Sequence, residues 1–194
     1  MSTAAHVPIA TTRSATGIPT GRLAVWWVLA SEIVIFGGLL VTYLMFRLRH
    51  PHWHEEALHT NTWAGGFNTV VLLTSSLFAV LAHQAAVRGD GPKAARLLWT
   101  TIGGATIFLL VKAYEWTTEI SHGFTMFRDT FWSFYYTVTG LHGVHVVAGM
   151  VLMAIIAAGA RRGENLHRVE LIGTYWHFVD AVWIFLFPLF YLAR

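Results

Sequence analysis

A chain of 194 residues that is 55% hydrophobic, 12% charged and free of cysteine excludes several classes at once. Soluble domains run near 25% charged, and without thiols there are no disulfides, thiolate metal sites or thiol catalysis. The net charge of +3 arises from basic residues in short loops beside apolar segments, where they set membrane topology and do not suggest nucleic-acid binding.

Residues Met1–Gly21 are polar, rich in Ser, Thr and Ala, and lack the apolar stretch of a signal peptide, so they read as a mobile tail. Residues 22–194 then read as a single domain. It holds five apolar segments, each long enough to span ~30 Å of hydrocarbon at ~1.5 Å per residue. They run about Leu23–Phe46, Phe67–Val87, Leu97–Thr118, Phe131–Ala160 and Val169–Leu192. Breakers separate them: Pro51, the Gly89-Asp90-Gly91-Pro92 turn, Gly123 and Arg161-Arg162-Gly163. Pro188 alone interrupts a span, and is expected to kink or loosen its last turn or two. The predicted fold is all-α: a polytopic membrane protein built as a bundle of five transmembrane helices.

Arg13, Arg22, Arg88, Lys93, Arg96, Arg161, Arg162 and Arg168 fall on one side of such a bundle. Arg47, Arg49, Arg128 and Arg194 fall on the other. The positive-inside rule then places the N-terminus in the cytoplasm.

Ionisable residues inside spans are costly and mark places that face protein, water or lipid headgroups. The last span carries Tyr175-Trp176-His177-Phe178-Val179-Asp180, with His177 and Asp180 three residues apart. Counting ~1.5 Å per residue puts Glu32 about 15 Å, Asp180 about 18 Å and His142 about 16 Å into the membrane, with His145 and His177 within a turn of the same plane. Taken singly, each reads as an interhelical hydrogen bond. Taken together, Glu32, His142, His145, His177 and Asp180 read as a buried or lipid-facing polar cluster. Gly140 and Gly143 suggest close helix packing beside it.

In the third span Lys112 and Glu115, with Glu119 beyond them, read as a local ion pair that lowers the cost of burial. His50, His52, His54 and His59 follow the first span without the spacing of a specific metal site, and read as a solvated loop. Trp26, Trp27, Trp99, Trp116 and Trp132 lie near span ends, as an aromatic belt would. No phosphate loop or nucleophile elbow is present, so no catalytic residue is assigned. His142, His145 and His177 are the one set that could ligate a haem, as in a stand-alone membrane haem protein. No metal site is assigned.

Four motifs carry a resemblance that covers about Trp27 to Tyr191. They are Ser31-Glu32-Ile-Val-Ile-Phe36-Gly37; Asn68-Thr69-x-x-Leu72-Leu73 followed by Ala82-His83; Thr139-Gly140-x-His142-Gly143-x-His145-Val146; and Tyr175-Trp176-His177-Phe178-Val179-Asp180-x-Val182-Trp183. Tyr114-Glu115-Trp116 adds an acidic third-span motif. The sequence resembles subunit III of haem–copper respiratory oxidases in its five-helix form. The resemblance implies a non-catalytic subunit of a cytochrome c oxidase in the inner (plasma) membrane of a bacterium. Such a subunit packs on subunit I, contacts other oxidase subunits, binds phospholipid and sustains proton uptake and turnover. It holds no cofactor of its own; haem and copper belong to its partners. Glu32 matches the family's carbodiimide-reactive carboxylate, and Asn68 and His83 match its second-span motif. The longest members carry two further N-terminal helices that this chain lacks. Subunit III of a quinol oxidase and the accessory protein of nitric oxide reductases are the neighbouring alternatives.

Overall fold

The computed structural model describes residues 19–50 and 53–192. The N-terminal tail up to residue 18, with Arg13, lies outside the described residues, as do Pro51, His52 and Arg194. The described residues form helices α1 (Thr20–Arg49), α2 (Trp53–Ala57), α3 (Thr62–Val87), α4 (Gly91–Ser121), α5 (Thr130–Arg161) and α6 (His167–Phe187), then a π-helical turn (Pro188–Leu192). Five of them are long and apolar enough to cross a membrane: α1, α3, α4, α5, and α6 with its π turn.

Helices α3, α4 and α5 begin ahead of their predicted apolar cores, where polar caps satisfy the first free amides. Asn61 accepts from Ala64 N at the start of α3, and Asp90 from Lys93 N at the start of α4, where Pro92 needs no amide partner. Asp129 accepts from Phe131 N at the start of α5.

Helices α3, α4, α5 and α6 pack as the body of the bundle. Helix α1 lies along α5 and α6 and buries only Leu29, Phe36 and Tyr43, seven residues apart. Among the polar contacts that clasp it to the body, three are close. Arg22 meets Glu170 at 2.7 Å, Glu32 meets His145 at 2.9 Å, and Tyr43 donates to the Leu189 carbonyl at 3.0 Å. Where α4 follows α3, Gly91 lies so close to the Ala160 carbonyl that a Cβ there would collide with it. This explains why glycine follows Asp90 in that turn.

Pro188 has the effect expected of it, and the structure shows how the cost is met. The last turn of the fifth span becomes a π-helix. Its loosened carbonyls find side-chain donors: Tyr43 and Arg47 on Leu189 O, Thr60 on Phe190 O, and Thr62 on Tyr191 O. Inside a membrane each unsatisfied carbonyl would cost several kcal/mol, so this substitution of donors holds the α6 terminus in place.

Three sequence expectations change. The His-rich connection is not simply a solvated loop, because α2 within it drives Trp53 into the bundle with no exposed surface. The indole stacks on Tyr43 at 5.4 Å and meets Phe131 and Phe134 edge-on at 5.9 Å. Trp132 is also fully buried and is no belt residue; its Nε1 donates to Glu56 at 2.7 Å. Trp26, Trp27 and Trp99 do lie on the outside. Finally, Gly140 and Gly143 bring no helix backbone close. They line an apolar groove of about 390 Å³ with Phe108, Lys112 and Trp116, and the close glycine position of α5 is instead Gly149, where an added Cβ would come within 3.0 Å of the Trp176 ring.

Candidate functional site

The five residues expected to form one polar cluster divide among separate environments. Glu32 on α1 faces His145 on α5, with Oε2 2.9 Å from Nε2. The His145 Nδ1 lies 2.8 Å from the Leu141 carbonyl one turn back. A carbonyl only accepts, so Nδ1 carries a hydrogen. In a neutral imidazole Nε2 is then an acceptor. A single proton must therefore lie between Nε2 and the Glu32 carboxyl for the two to bond. Their approach is close but not in line with ideal hydrogen-bond geometry, since the same Glu32 oxygen has no well-directed donor. Phe36 packs edge-on against the imidazole at 5.3 Å, and the Tyr175 hydroxyl donates to the His145 carbonyl at 3.3 Å. Helix α1 is thus keyed to the bundle at this level.

His142 sits one turn before His145 on the same helix, yet points elsewhere. It is buried between Phe108, 5.6 Å away and edge-on, and Trp183 at 5.3 Å, and neither ring nitrogen has a hydrogen-bond partner. His177 lies on the exposed side of α6, where Nδ1 and the Ser76 hydroxyl are 2.6 Å apart. Asp180, one turn on, is buried. The Ser76 hydroxyl faces it too, but its short contact is to His177, and both Asp180 oxygens lack a well-formed bond. The shared face expected from the i, i+3 spacing is therefore split. Asn68 donates to the Phe108 carbonyl at 3.3 Å and helps pin α3 to α4, while His83 is half-buried toward the end of α3. Among the described residues no three His, Asp or Glu side chains converge as metal ligands.

The Lys112–Glu115 pair of α4 proves to be the core of a larger network. Lys112 Nζ donates to Glu115 Oε2 at 3.1 Å, to Tyr135 Oη at 2.9 Å and to Tyr191 Oη at 2.8 Å. All three ammonium hydrogens are used. Tyr135 also lies 3.1 Å from Glu115 Oε1 and 3.0 Å from Glu119 Oε1. Lys112, Glu115 and Glu119 are all buried. Sequence reasoning found the acidic and basic members, which share one helix. It missed Tyr135 on α5 and Tyr191 on the π turn. The available signal was stoichiometric: a buried ammonium needs three acceptors, and one glutamate at i+3 supplies one or two.

Comparison with known proteins agrees with this architecture. The family model described as cytochrome c oxidase subunit III matches residues 11–193. The chain belongs to the cytochrome c oxidase subunit III family. A cytochrome c oxidase subunit 3 of Thermostichus vulcanus is 32% identical over 170 residues, covering 84% of this chain and 83% of the relative. One of Synechocystis is 35% identical over 171 residues, covering 84% and 72%. A haem–copper oxidase subunit I+III of Aeropyrum pernix is 29% identical, covering 89% of this chain and 22% of that longer protein. The family is a subunit of an oxidoreductase complex, and its member here is a multi-pass membrane protein with oxidase subunits as partners.

Proposed function

We propose that this chain is the non-catalytic subunit III of a bacterial cytochrome c oxidase. It packs on subunit I, holds phospholipid, and sustains proton uptake and turnover while haem and copper reside in its partners. The observation that carries the reading is the family match across residues 11–193. The geometry supports it, because Glu32 with His145, and Lys112, Glu115 and Glu119 with Tyr135 and Tyr191, tie helices together. Subunit I as the main partner draws on the fused I+III relative. Phospholipid binding draws support from an open apolar groove of about 380 Å³ between α1, α5 and α6, lined by Val25, Val28, Leu152 and Ile156, which has room for part of an acyl chain, with the Arg22–Glu170 pair at the same end of α1. The excess of basic loops supports a cytoplasmic N-terminus at the inner membrane.

The test is affinity purification of the tagged chain from its own membranes. A haem–copper catalytic subunit, oxygen consumption with reduced cytochrome c and bound phospholipid are expected together. Recovery with a nitric oxide reductase, or turnover on quinol alone, would overturn the assignment.

A further inference from the structure

The network around Lys112 contains more acceptors than protons if both of its carboxyls are ionised. Tyr135 has one hydroxyl hydrogen, yet its oxygen lies within 3.1 Å of carboxylate oxygens from both Glu115 and Glu119. The same oxygen accepts from Lys112 and lies 3.1 Å from the Tyr191 hydroxyl. The Tyr135 hydrogen can serve only one carboxylate. The other O···O contact then sets lone pair against lone pair unless the carboxyl brings its own proton. Charge balance leads to the same count. One ammonium stands among two carboxylates, and a surplus buried charge is expensive.

We propose that Glu115 and Glu119 hold one proton between them, exchanged through the Tyr135 hydroxyl, so that this end of the bundle carries a one-proton store. In one arrangement Glu119 is the acid and donates to Tyr135, which donates to ionised Glu115. In the other, Glu115 donates to Tyr135, which donates to ionised Glu119. A single proton moves along each of the two hydrogen bonds, and no net charge moves out of the cluster. Emptying the store sends the proton to water and leaves the cluster with one negative charge.

The neighbours on every packed element fit this count. Tyr136 on α5 gives its hydrogen to the Phe124 carbonyl at 2.7 Å and stands 3.4 Å from Glu119 Oε2. Tyr191 on the π turn receives from Lys112. The charged groups beyond, Arg128 and Glu56, face each other at 3.8 Å, and His59 lies against the Phe124 ring. Glu119 is in the last turns of α4, next to the loop that ends the membrane span, so the store lies close to water on the face opposite the N-terminus.

Infrared difference spectroscopy of the intact chain, in the complex with which it purifies, tests the store. Glu119→Gln and Glu115→Gln are each near-isosteric. Each leaves one carboxylate to match Lys112, so each should remove the C=O band of one protonated carboxyl from the wild-type spectrum. Loss of that band in neither variant, or in only one of them, overturns the shared proton. Should a variant fail to assemble, Tyr135→Phe takes its place. That change keeps both carboxyls and must shift the band by removing its hydrogen-bond partner; an unmoved band overturns the proposal.

Discussion

The Glu32–His145 contact makes a quantitative prediction about how α1 is held. Replacing Glu32 by Leu leaves the His145 Nε2 without its 2.9 Å partner, while Nδ1 stays bonded to Leu141. Replacing His145 by Leu instead strands the carboxyl. A buried polar group left unpaired costs about 1–3 kcal/mol. Both side chains retain about a seventh of their exposure, 14% for Glu32 and 16% for His145, so the lower half of that range applies. Interhelical polar pairs in membranes couple by about 0.6 kcal/mol on average, with a maximum near 1.7. A direct 2.9 Å contact belongs in the upper part, so we expect about 1 kcal/mol of coupling, roughly a fivefold factor in the folding equilibrium. The double variant Glu32→Leu with His145→Leu should be less unstable than the two single losses added, by that amount. Glu32→Gln should cost under about 0.5 kcal/mol, because its amide can donate to Nε2. Reversible unfolding in mixed micelles measures all four species. Coupling below about 0.3 kcal/mol would show that the contact ties nothing, and the clasp on α1 would then rest on its ends alone.

Hydrophobic carbodiimide should label Glu32 in membranes, and Glu32→Gln should abolish labelling; mass spectrometry locating undiminished label elsewhere would refute the assignment. Gly91→Ala should destabilise the chain by about 1–3 kcal/mol, because the new methyl meets the rigid Ala160 carbonyl, and an unchanged unfolding midpoint would contradict that packing. Tyr43→Phe removes the phenol that donates to Leu189, which should cost about 1 kcal/mol and speed proteolysis of the C-terminal turn; unaltered cleavage would count against it. Stripping the chain from its oxidase should leave initial turnover partly intact while activity decays faster over successive cycles, whereas immediate loss of the haem spectrum would place redox ligands here.

The primary sequence settles most of the architecture, because span length and breakers are local properties. Twenty or more apolar residues in a row can satisfy their backbone in lipid only as a helix, so five spans were legible, as were the breakers that separate them. The long motifs around His142 and around His177 likewise identified the family. Which neighbour each side chain meets was not legible. In a soluble helix the polar face marks the side turned from the core. Here the lipid side is as apolar as the packed side, so hydropathy carries no record of helix rotation. His142 and His145 differ by only about 60° around α5, yet one is enclosed by Phe108 and Trp183 while the other reaches Glu32 on α1. The burial of Trp53, the gathering of Tyr135 and Tyr191 on Lys112, and the donors that satisfy the π turn join residues far apart in the chain. Such pairings exist only once the helices are turned and packed, because a buried donor accepts whichever acceptor the tertiary fold brings within 3 Å.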